Sequence, residues 1–464
     1  MSSRDCIICG ERDVSREHVF PAALGGRRIN KGIYCKYHNE SFSPHAQILS
    51  DQLGPINSLL VVRPDHSDRP RQLEVTNLDD GQRYLMSGPR VELAEPRVLQ
   101  SVMAGQSQQV AMQFSSEQQC QQWLAEQRRT GHEVNICSRE EGTRYFTQPY
   151  KVELKLGGPE GLKAIGYVAL TFLAHYFPQI ARQPEFATFK DFVTSVSAAP
   201  LVWWDSSNKY LDVGPNPYRF GHRILLGLSA VRQEAYARVS LFSTLDFAVH
   251  FGAAQVDKDH TLIIDIDPQA DHPPDDIQEQ HRPMCIADVQ RPASLTANLH
   301  DSILTGEGQR RFERLMGEIS AWQLDCTVED LLSNLRGVGA LGAHERLQHI
   351  SELLHGHKQR IVNLMLYITT QFKQQCEANV ATAFLVPAVD SLVAADPTSA
   401  TGLSPTAFCS LNLATVALVE QISRDLDSGQ LDQSRLSQLL GGHLGAAIVR
   451  AAIFRPLKMA LGIT

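Results

Sequence analysis

The sequence feature that most constrains the fold is a pair of two-residue knuckles near the N-terminus. Cys6 and Cys9 form a Cys-x-x-Cys pair, and Cys35 and His38 form a Cys-x-x-His pair after twenty-five intervening residues. A knuckle of this spacing directs both of its side chains at one metal ion, and four such ligands satisfy tetrahedral zinc. The zinc would close the loop and replace the hydrophobic core that about forty residues cannot build alone. The sequence therefore predicts a small module held by structural zinc.

Glu17 and His18 lie side by side between the two knuckles, ahead of a Gly-Gly turn. Because four protein ligands fill the coordination sphere of zinc, any chemistry requires a second centre. A carboxylate beside a histidine offers a hard oxygen ligand for Mg²⁺ or Mn²⁺ and a nitrogen that can take a proton from water. A lone Glu-His pair is more often an exposed loop, but its position between two zinc knuckles favours a catalytic role.

The segments CIIC, SREHVFPAALGG and IYCKYHN resemble the HNH endonuclease family in its zinc-bound ββα-metal form. The resemblance covers roughly the first tenth of the chain. In that family the motif histidine follows an acidic residue, an asparagine lies five residues before the third zinc ligand, and the last motif residue follows the fourth. These positions are His18, Asn30 and Asn39, which make the chain an H-N-N variant. Asparagine at the last position replaces the histidine of many members, and His38 replaces a cysteine that is common in this branch.

The resemblance also implies a role for each motif residue. His18 would be the general base that activates water for attack on a phosphodiester. Glu17 and Asn39 would hold a single divalent cation, Mg²⁺ or Mn²⁺, that binds the scissile phosphate and stabilises the leaving oxygen. Asn30 would orient the loop, and with it His18, by hydrogen bonding. Zinc on the four knuckle residues would stay structural.

Charge and hydropathy limit the partners and the location. The formal net charge of -8 argues against a surface that binds nucleic acid everywhere. Binding follows the local charge distribution, and the module concentrates basic residues that can contact DNA phosphates. These residues are Arg12, Arg16, Arg27, Arg28, Lys31 and Lys36. The sequence has no basic-then-apolar leader and no apolar run long enough for a membrane span, so we expect a cytoplasmic protein without a membrane partner.

The remaining sequence predicts an α+β multidomain protein, with the zinc module at 1–55, an α+β body at 56–285 and a helical domain at 286–464. We expect strands in 72–96, 201–204, 222–228, 235–242 and 261–268, with short strands at 134–137 and 151–158. The most apolar helix is expected at 161–177, buried in the body, and a polar loop or linker at 268–283. Further helices are expected at 41–51, 116–129, 308–322, 327–335, 344–376, 405–426 and 434–461.

The function that the motif favours is a metal-dependent endonuclease that hydrolyses phosphodiester bonds of DNA. A nuclease without restraint would harm its host, so the large appended region is expected to select, restrain or recruit, as in a phage-defence or restriction-type effector. An activating ligand, a protein partner and a homo-oligomer are compatible with such an architecture. The alternatives are a non-catalytic zinc-containing protein that binds nucleic acid or protein, and a nuclease that acts on RNA.

Overall fold

The computed structural model describes residues 5–65, 70–76, 81–87, 90–104, 107–139, 156–194, 201–205, 213–270, 277–284, 307–393 and 403–454. It confirms an α+β protein with a small N-terminal module, a sheet-containing middle and a helical C-terminal region. The predicted strand at 151–158 lies largely outside the described residues, and its last residue begins a helix instead.

The N-terminal module consists of two antiparallel strands followed by a helix. Strand β1 spans Val14–His18 and pairs with strand β2, Ile29–Cys35, with a bulge near the start of β1. A single 3-10 turn, Ala22–Leu24, lies between the strands. Helix α1 follows at once over Lys36–Leu59. Two zinc-ligand positions therefore lie where β2 ends and α1 begins.

Helix α1 is more than twice as long as the helix expected at 41–51. It continues through Pro44 and Pro55, residues that usually interrupt a helix. Its apolar residues Phe42, Leu49 and Leu53 are buried, so packing along the whole length offsets the backbone bonds that the prolines remove. The prediction was too short because Pro55 follows a glycine, a combination typical of a helix end.

Short strands and one helix follow, over residues 73–129. The strands are β3 Leu73–Thr76, β4 Arg83–Ser87, β5 Arg90–Leu93, β6 Arg97–Ala104 and β7 Ser107–Gln113. Strands β3 to β5 form one sheet and β6 pairs with β7. Helix α2, Glu117–Arg129, is capped by the Ser116 side chain, as expected. The short strand expected at 134–137 is absent, because this exposed segment has no pairing partner among the described residues.

The middle of the chain packs a buried helix against a six-stranded sheet. Helix α3 spans Gly158–Tyr176 and is buried over most of its length, as its all-round apolar sequence predicted. The short helices α4, Pro178–Ala181, and α5, Ala187–Val193, follow. The antiparallel sheet has the order β13-β12-β9-β10-β11-β8. Its strands are β8 Val202–Trp204, β9 His222–Ser229, β10 Glu234–Leu241, β11 Leu245–Ala253, β12 His260–Ile266 and β13 Ile277–Arg282.

Two of these strands differ from expectation. Strand β13 lies in the segment expected to be a polar loop, because an edge strand pairs through its backbone and needs no apolar side chains. Strand β11 was not anticipated. The turn before it places Phe242 and Ser243 at positive φ without the Gly or Asn that normally marks a hairpin.

The C-terminal region is helical, as predicted. Its helices are α6 Glu307–Leu335, α7 Ala343–Gly356, α8 Lys358–Ala378, α9 Val386–Asp390, α10 Pro405–Asp427 and α11 Gln433–Val449, followed by a π-helical turn at Arg450–Phe454. Two expected helices merge into α6, and the helix expected at 344–376 divides at His357. These helices share a core that includes Leu331, Ile350, Met365 and Leu411.

The chain divides into two compact units. The first comprises Met1–Leu73, Met86–Arg90 and Val152–Met316, and the second comprises Glu74–Leu85, Val91–Lys151 and Gly317–Thr464. The zinc module and the six-stranded sheet thus share one unit, while the finer division at 55 and 285 stays a prediction. Among the described residues, no helix combines the length and apolarity needed to cross a membrane.

Candidate metal centre and active site

Four side chains from the two knuckles converge on one point. The ligand atoms of Cys6, Cys9, Cys35 and His38 all lie within 4.8 Å of one another. Cys9 Sγ is 3.8 Å from Cys35 Sγ, and His38 Nδ1 is 3.2 Å from Cys35 Sγ and 3.7 Å from Cys6 Sγ. Zinc–sulfur bonds of ~2.3 Å in a tetrahedron place two sulfurs ~3.8 Å apart. The Cys3His group therefore fits a structural zinc ion.

The first knuckle is held against β2 by backbone hydrogen bonds. The amide of Ile7 donates to the carbonyl of Ile33 at 2.9 Å. The Arg182 guanidinium donates to the carbonyls of Asp5 and Gly32, at 2.6 and 2.8 Å. The Arg182 side chain, which comes from outside the module, thus ties the start of the first knuckle to β2.

The pKa values of the Cys6 and Cys9 thiols shift in opposite directions. Burial alone would raise the pKa of Cys6, but backbone amides of Cys9, Cys35 and Ile8 donate hydrogen bonds to its sulfur and lower the pKa overall. Burial, together with the adjacent Cys6 and Cys35 sulfurs, raises the pKa of Cys9 to about 11. Zinc binds thiolates, so occupancy of this site releases protons and its zinc affinity falls at low pH.

Glu17 and Asn30 face helix α3. They lie directly opposite each other in the β1–β2 ribbon and so share one of its faces. The Tyr167 hydroxyl donates to Glu17 Oε1 at 2.5 Å, and Asn30 Nδ2 lies 2.6 Å from His175 Nδ1. Burial raises the pKa of Glu17, an effect that the Tyr167 bond and the neighbouring His18 oppose. The Glu17 carboxylate is thus partly buried and already accepts one hydrogen bond.

Helix α3 contacts the ribbon through a polar stripe. Tyr167, Thr171 and His175 are four residues apart and therefore lie on one helical face. The Thr171 hydroxyl forms a hydrogen bond with the buried Tyr34 hydroxyl, with 2.9 Å between the two oxygens. Burial, with a contribution from the nearby Arg28, lowers the pKa of His175 and favours the neutral ring that accepts the Asn30 bond.

His18 lies on the opposite face of β1. Consecutive side chains of a strand point to opposite faces, so His18 is directed away from the face that carries Glu17 and Asn30. Its Nε2 is 3.0 Å from Asp65 Oδ2, and both side chains are partly exposed. The final residue of β1 therefore presents an imidazole to solvent beside a carboxylate.

Asn39 lies in the first turn of α1, next to the fourth zinc ligand. Its side-chain amide Nδ2 donates to the backbone carbonyl of Arg16 at 2.8 Å. Because Arg16 immediately precedes Glu17 and His18, this bond holds the start of α1 beside the Glu-His pair. It also directs the amide nitrogen of Asn39 at β1.

The Gly-Gly turn after the Glu-His pair is required by close backbone packing. Gly25 has a φ of +86°, and a Cβ there would lie 2.7 Å from Cα of Pro268. A Cβ on Gly26 would lie 2.1 Å from the carbonyl oxygen of Phe20. No side chain fits at either position, so the turn sets the path by which the chain leaves His18.

His222, on β9, anchors the same loop to the sheet. Its Nε2 lies 3.2 Å from the Leu24 carbonyl oxygen, and its Nδ1 accepts from the Phe242 amide at 3.3 Å. Complete burial lowers the pKa of His222 to about 3, although the Leu24 bond acts in the other direction. A neutral ring with one donor and one acceptor satisfies both contacts. Asn57 of α1 also bonds this loop, donating to the Ala23 carbonyl at 3.1 Å.

The basic residues of the module fall into two groups. Arg27 donates to the Ala270 carbonyl, and Arg28 donates to the Tyr176 hydroxyl and to Glu279. The other four have exposed side chains: Arg12, Arg16, Lys31 and Lys36. Arg16 and Lys31 are cross-strand partners and so share the face of the ribbon that carries His18. This face is the exposed basic surface of the module.

No protein-family model, curated protein or solved structure matches this chain. The likeness to HNH endonucleases therefore rests on the motif residues of the sequence alone.

Three side chains at the candidate site were not predicted from the sequence. Asp65, Tyr167 and His175 reach the motif from 47 to 150 residues away in the chain. The spacing of Tyr167, Thr171 and His175 is the one available signal, since three polar groups at helical intervals interrupt an otherwise apolar helix.

Proposed function

We propose that this chain is a metal-dependent HNH endonuclease that hydrolyses phosphodiester bonds of DNA. The observation that carries the proposal is the Asn39 bond to the Arg16 carbonyl at the junction of β1 and α1. It joins the last motif position to the strand that ends in Glu17 and His18, within a strand–strand–helix unit held by a Cys3His group. The bond therefore places Asn39 next to the end of the strand that carries the Glu-His pair, whose two side chains lie on opposite faces of β1.

We assign each side chain a task in this reaction. Glu17 and Asn39 offer hard oxygen atoms of the kind that Mg²⁺ and Mn²⁺ prefer, and would hold the divalent cation. That cation, when bound, supplies positive charge to the scissile phosphate and the leaving oxygen. His18 takes the proton from the attacking water. Asn30 fixes the ribbon through its bond to His175, which supports an orienting role.

DNA is the proposed partner because the exposed basic face carries Arg16 on β1 and Lys31 directly opposite it on β2. Phosphate contacts from such residues give sequence-independent affinity for a duplex.

We further propose that the rest of the chain restrains or recruits the nuclease, as a phage-defence or restriction effector would require. Bacteria that express the wild-type chain should then form fewer plaques under phage challenge than bacteria that express His18→Ala.

The direct test is cleavage of supercoiled plasmid by zinc-loaded protein with Mg²⁺ or Mn²⁺, compared with His18→Ala. Wild type should nick or linearise the plasmid only when a divalent cation is added, and the variant should be at least roughly a hundredfold slower. An RNA substrate run in parallel identifies the preferred polymer. Intact plasmid across metals, salt concentrations and candidate activators would instead favour the non-catalytic binding protein.

A further inference from the structure

Asp65 lies beside His18 but outside the segment that carries the motif. Its Oδ2 is 3.0 Å from His18 Nε2, although the two residues are 47 positions apart. Asp65 follows the end of α1, so the same helix that brings Asn39 to β1 at its start delivers this carboxylate beyond its other end. The contact is therefore set by the fold of the module.

An unusual turn directs the chain from α1 towards Asp65. Val61 has a φ of +59°, a conformation that β-branched residues rarely adopt. The amide of Val61 donates to the Ser58 carbonyl at 3.2 Å, and the amide of Val62 donates to the Asn57 carbonyl at 2.9 Å. These two bonds form a Schellman motif, whose left-handed position is normally glycine.

The strained turn sets the direction in which the chain leaves α1. Val61 holds a left-handed conformation that is costly for a β-branched residue, and the flanking side chains of Leu60 and Val62 are buried. The backbone is therefore fixed where the segment that ends in Asp65 begins.

We propose that Asp65 is a positioning residue for His18, an inference that rests on the nuclease function proposed above. The Asp65 carboxylate accepts the hydrogen bond of a proton on His18 Nε2. This bond selects the Nε2–H tautomer and fixes the ring plane, as carboxylates do for catalytic histidines in other hydrolases. His18 Nδ1 is then the unprotonated nitrogen that takes the proton from water. Asp65 does not itself touch the substrate or the cation.

The tautomer can be read without any activity measurement. Full-length zinc-loaded protein labelled with 15N-histidine would be recorded by NMR without divalent cations other than zinc, at a pH where imidazole rings are mostly neutral. His18→Ala assigns the signal by its loss. Wild type should show His18 as a single Nε2–H tautomer, and Asp65→Ala should show a mixture. Asp257→Ala, which removes an exposed carboxylate elsewhere in the same unit, should leave the signal unchanged.

Cleavage rates then test the consequence. Asp65→Ala should cut DNA roughly tenfold to a hundredfold more slowly than wild type. It should cause no further loss in a His18→Ala background, because it acts only through His18. Asp65→Glu should restore part of the rate.

The two proposals fail in different ways. If the wild type cuts no nucleic acid, the nuclease function fails whatever the tautomer. If His18→Ala abolishes cutting while Asp65→Ala cuts at the wild-type rate, only the role of Asp65 is overturned. A faster Asp65→Ala variant, or an unchanged tautomer, would also overturn it.

Discussion

Single residues around the Gly-Gly turn set where the Glu-His pair can lie. We expect Gly26→Ala to destabilise the protein by about 3 kcal/mol, because its Cβ would meet the Phe20 carbonyl oxygen at 2.1 Å and one backbone segment must move. Chemical denaturation of zinc-loaded protein measures the change.

Gly54→Ala is the matched control for Gly26→Ala. It lies inside α1, and outside its chain neighbours a Cβ there meets the flexible side chain of Arg71, at 3.5 Å or more. This variant should change the free energy of unfolding by less than about 1 kcal/mol, since the higher helix propensity of alanine is opposed by the position before Pro55. A Gly26→Ala protein as stable as wild type would show that the loop yields without cost.

His222 makes the stability of the first unit depend on pH. Its pKa is about 3 in the folded protein and about 6.5 when unfolded, so the unfolded chain binds the extra proton between these values. The contribution of the neutral His222 ring to the free energy of unfolding is complete above pH 6.5 and is lost as the pH falls towards 3. We expect a loss of about 1.4 kcal/mol between pH 7.5 and pH 5.5 from this residue.

The His222 contribution is isolated by comparison with His222→Gln. The variant should be less stable at pH 7.5, because it loses ring contacts with Phe20 and Phe242. Its free energy of unfolding should nonetheless fall less steeply between pH 7.5 and pH 5.5. Parallel pH curves for the two proteins would mean that His222 does not remain neutral in the folded state.

Among the elements, the β1–β2 ribbon separates two kinds of function by face. One face joins α3 through Glu17 and Asn30, and the other presents Arg16 and Lys31 with His18. Two like charges directly opposite each other destabilise a ribbon. In the proposed function, this exposed face contacts the phosphates of DNA.

We therefore expect the double variant Arg16→Ala with Lys31→Ala to bind DNA less tightly without loss of stability. If both side chains contact phosphates, the slope of log K against log salt should become shallower by about 1.8. Fluorescence anisotropy with a labelled duplex over a salt series measures this slope. Lys258→Ala, on an exposed turn of the same unit, is the control, and an unchanged slope in the double variant would contradict the assignment.

Local elements were predictable from the sequence, and long-range partners were not. The zinc ligands and α3 follow from short spacings, because a knuckle and an apolar helix are each specified by adjacent residues. Strand β11 was missed because Phe242 and Ser243 make its turn without the usual residues. Asp65 and Tyr167 were missed because tertiary packing alone brings Asp65 to His18 and Tyr167 to Glu17.

At the scale of the whole molecule, the zinc module depends on residues far along the chain. Arg182 holds its first knuckle, His222 holds its loop, and α3 covers Tyr34 and Glu17. All of these lie in the first compact unit, which is assembled from three separate segments. The candidate zinc site and the Glu-His pair are thus built into the body of this unit.

A fragment of residues 1–60 should therefore fail to reproduce the native module even with zinc present. Phe20, Tyr34 and Phe42 are each at most 2 % exposed in the full chain, and the fragment lacks α3 and the sheet that help to cover them. We expect zinc binding without a cooperative thermal transition, whereas the full chain should unfold cooperatively. A fragment with a sharp transition and dispersed amide signals would show that the module folds independently.

We propose that His18, with a cation on Glu17 and Asn39, hydrolyses a phosphodiester beside a structural zinc ion. Single-turnover cleavage of a labelled DNA by zinc-loaded protein, titrated with Mg²⁺ or Mn²⁺, tests it most directly. The wild-type rate should rise from zero to a plateau with added cation. His18→Ala, matched to wild type in zinc content and stability, should be slower by roughly a hundredfold or more at every concentration. Equal rates for the two proteins would rule out His18 as the general base, and no cleavage by either with any cation or activator would rule out the nuclease function.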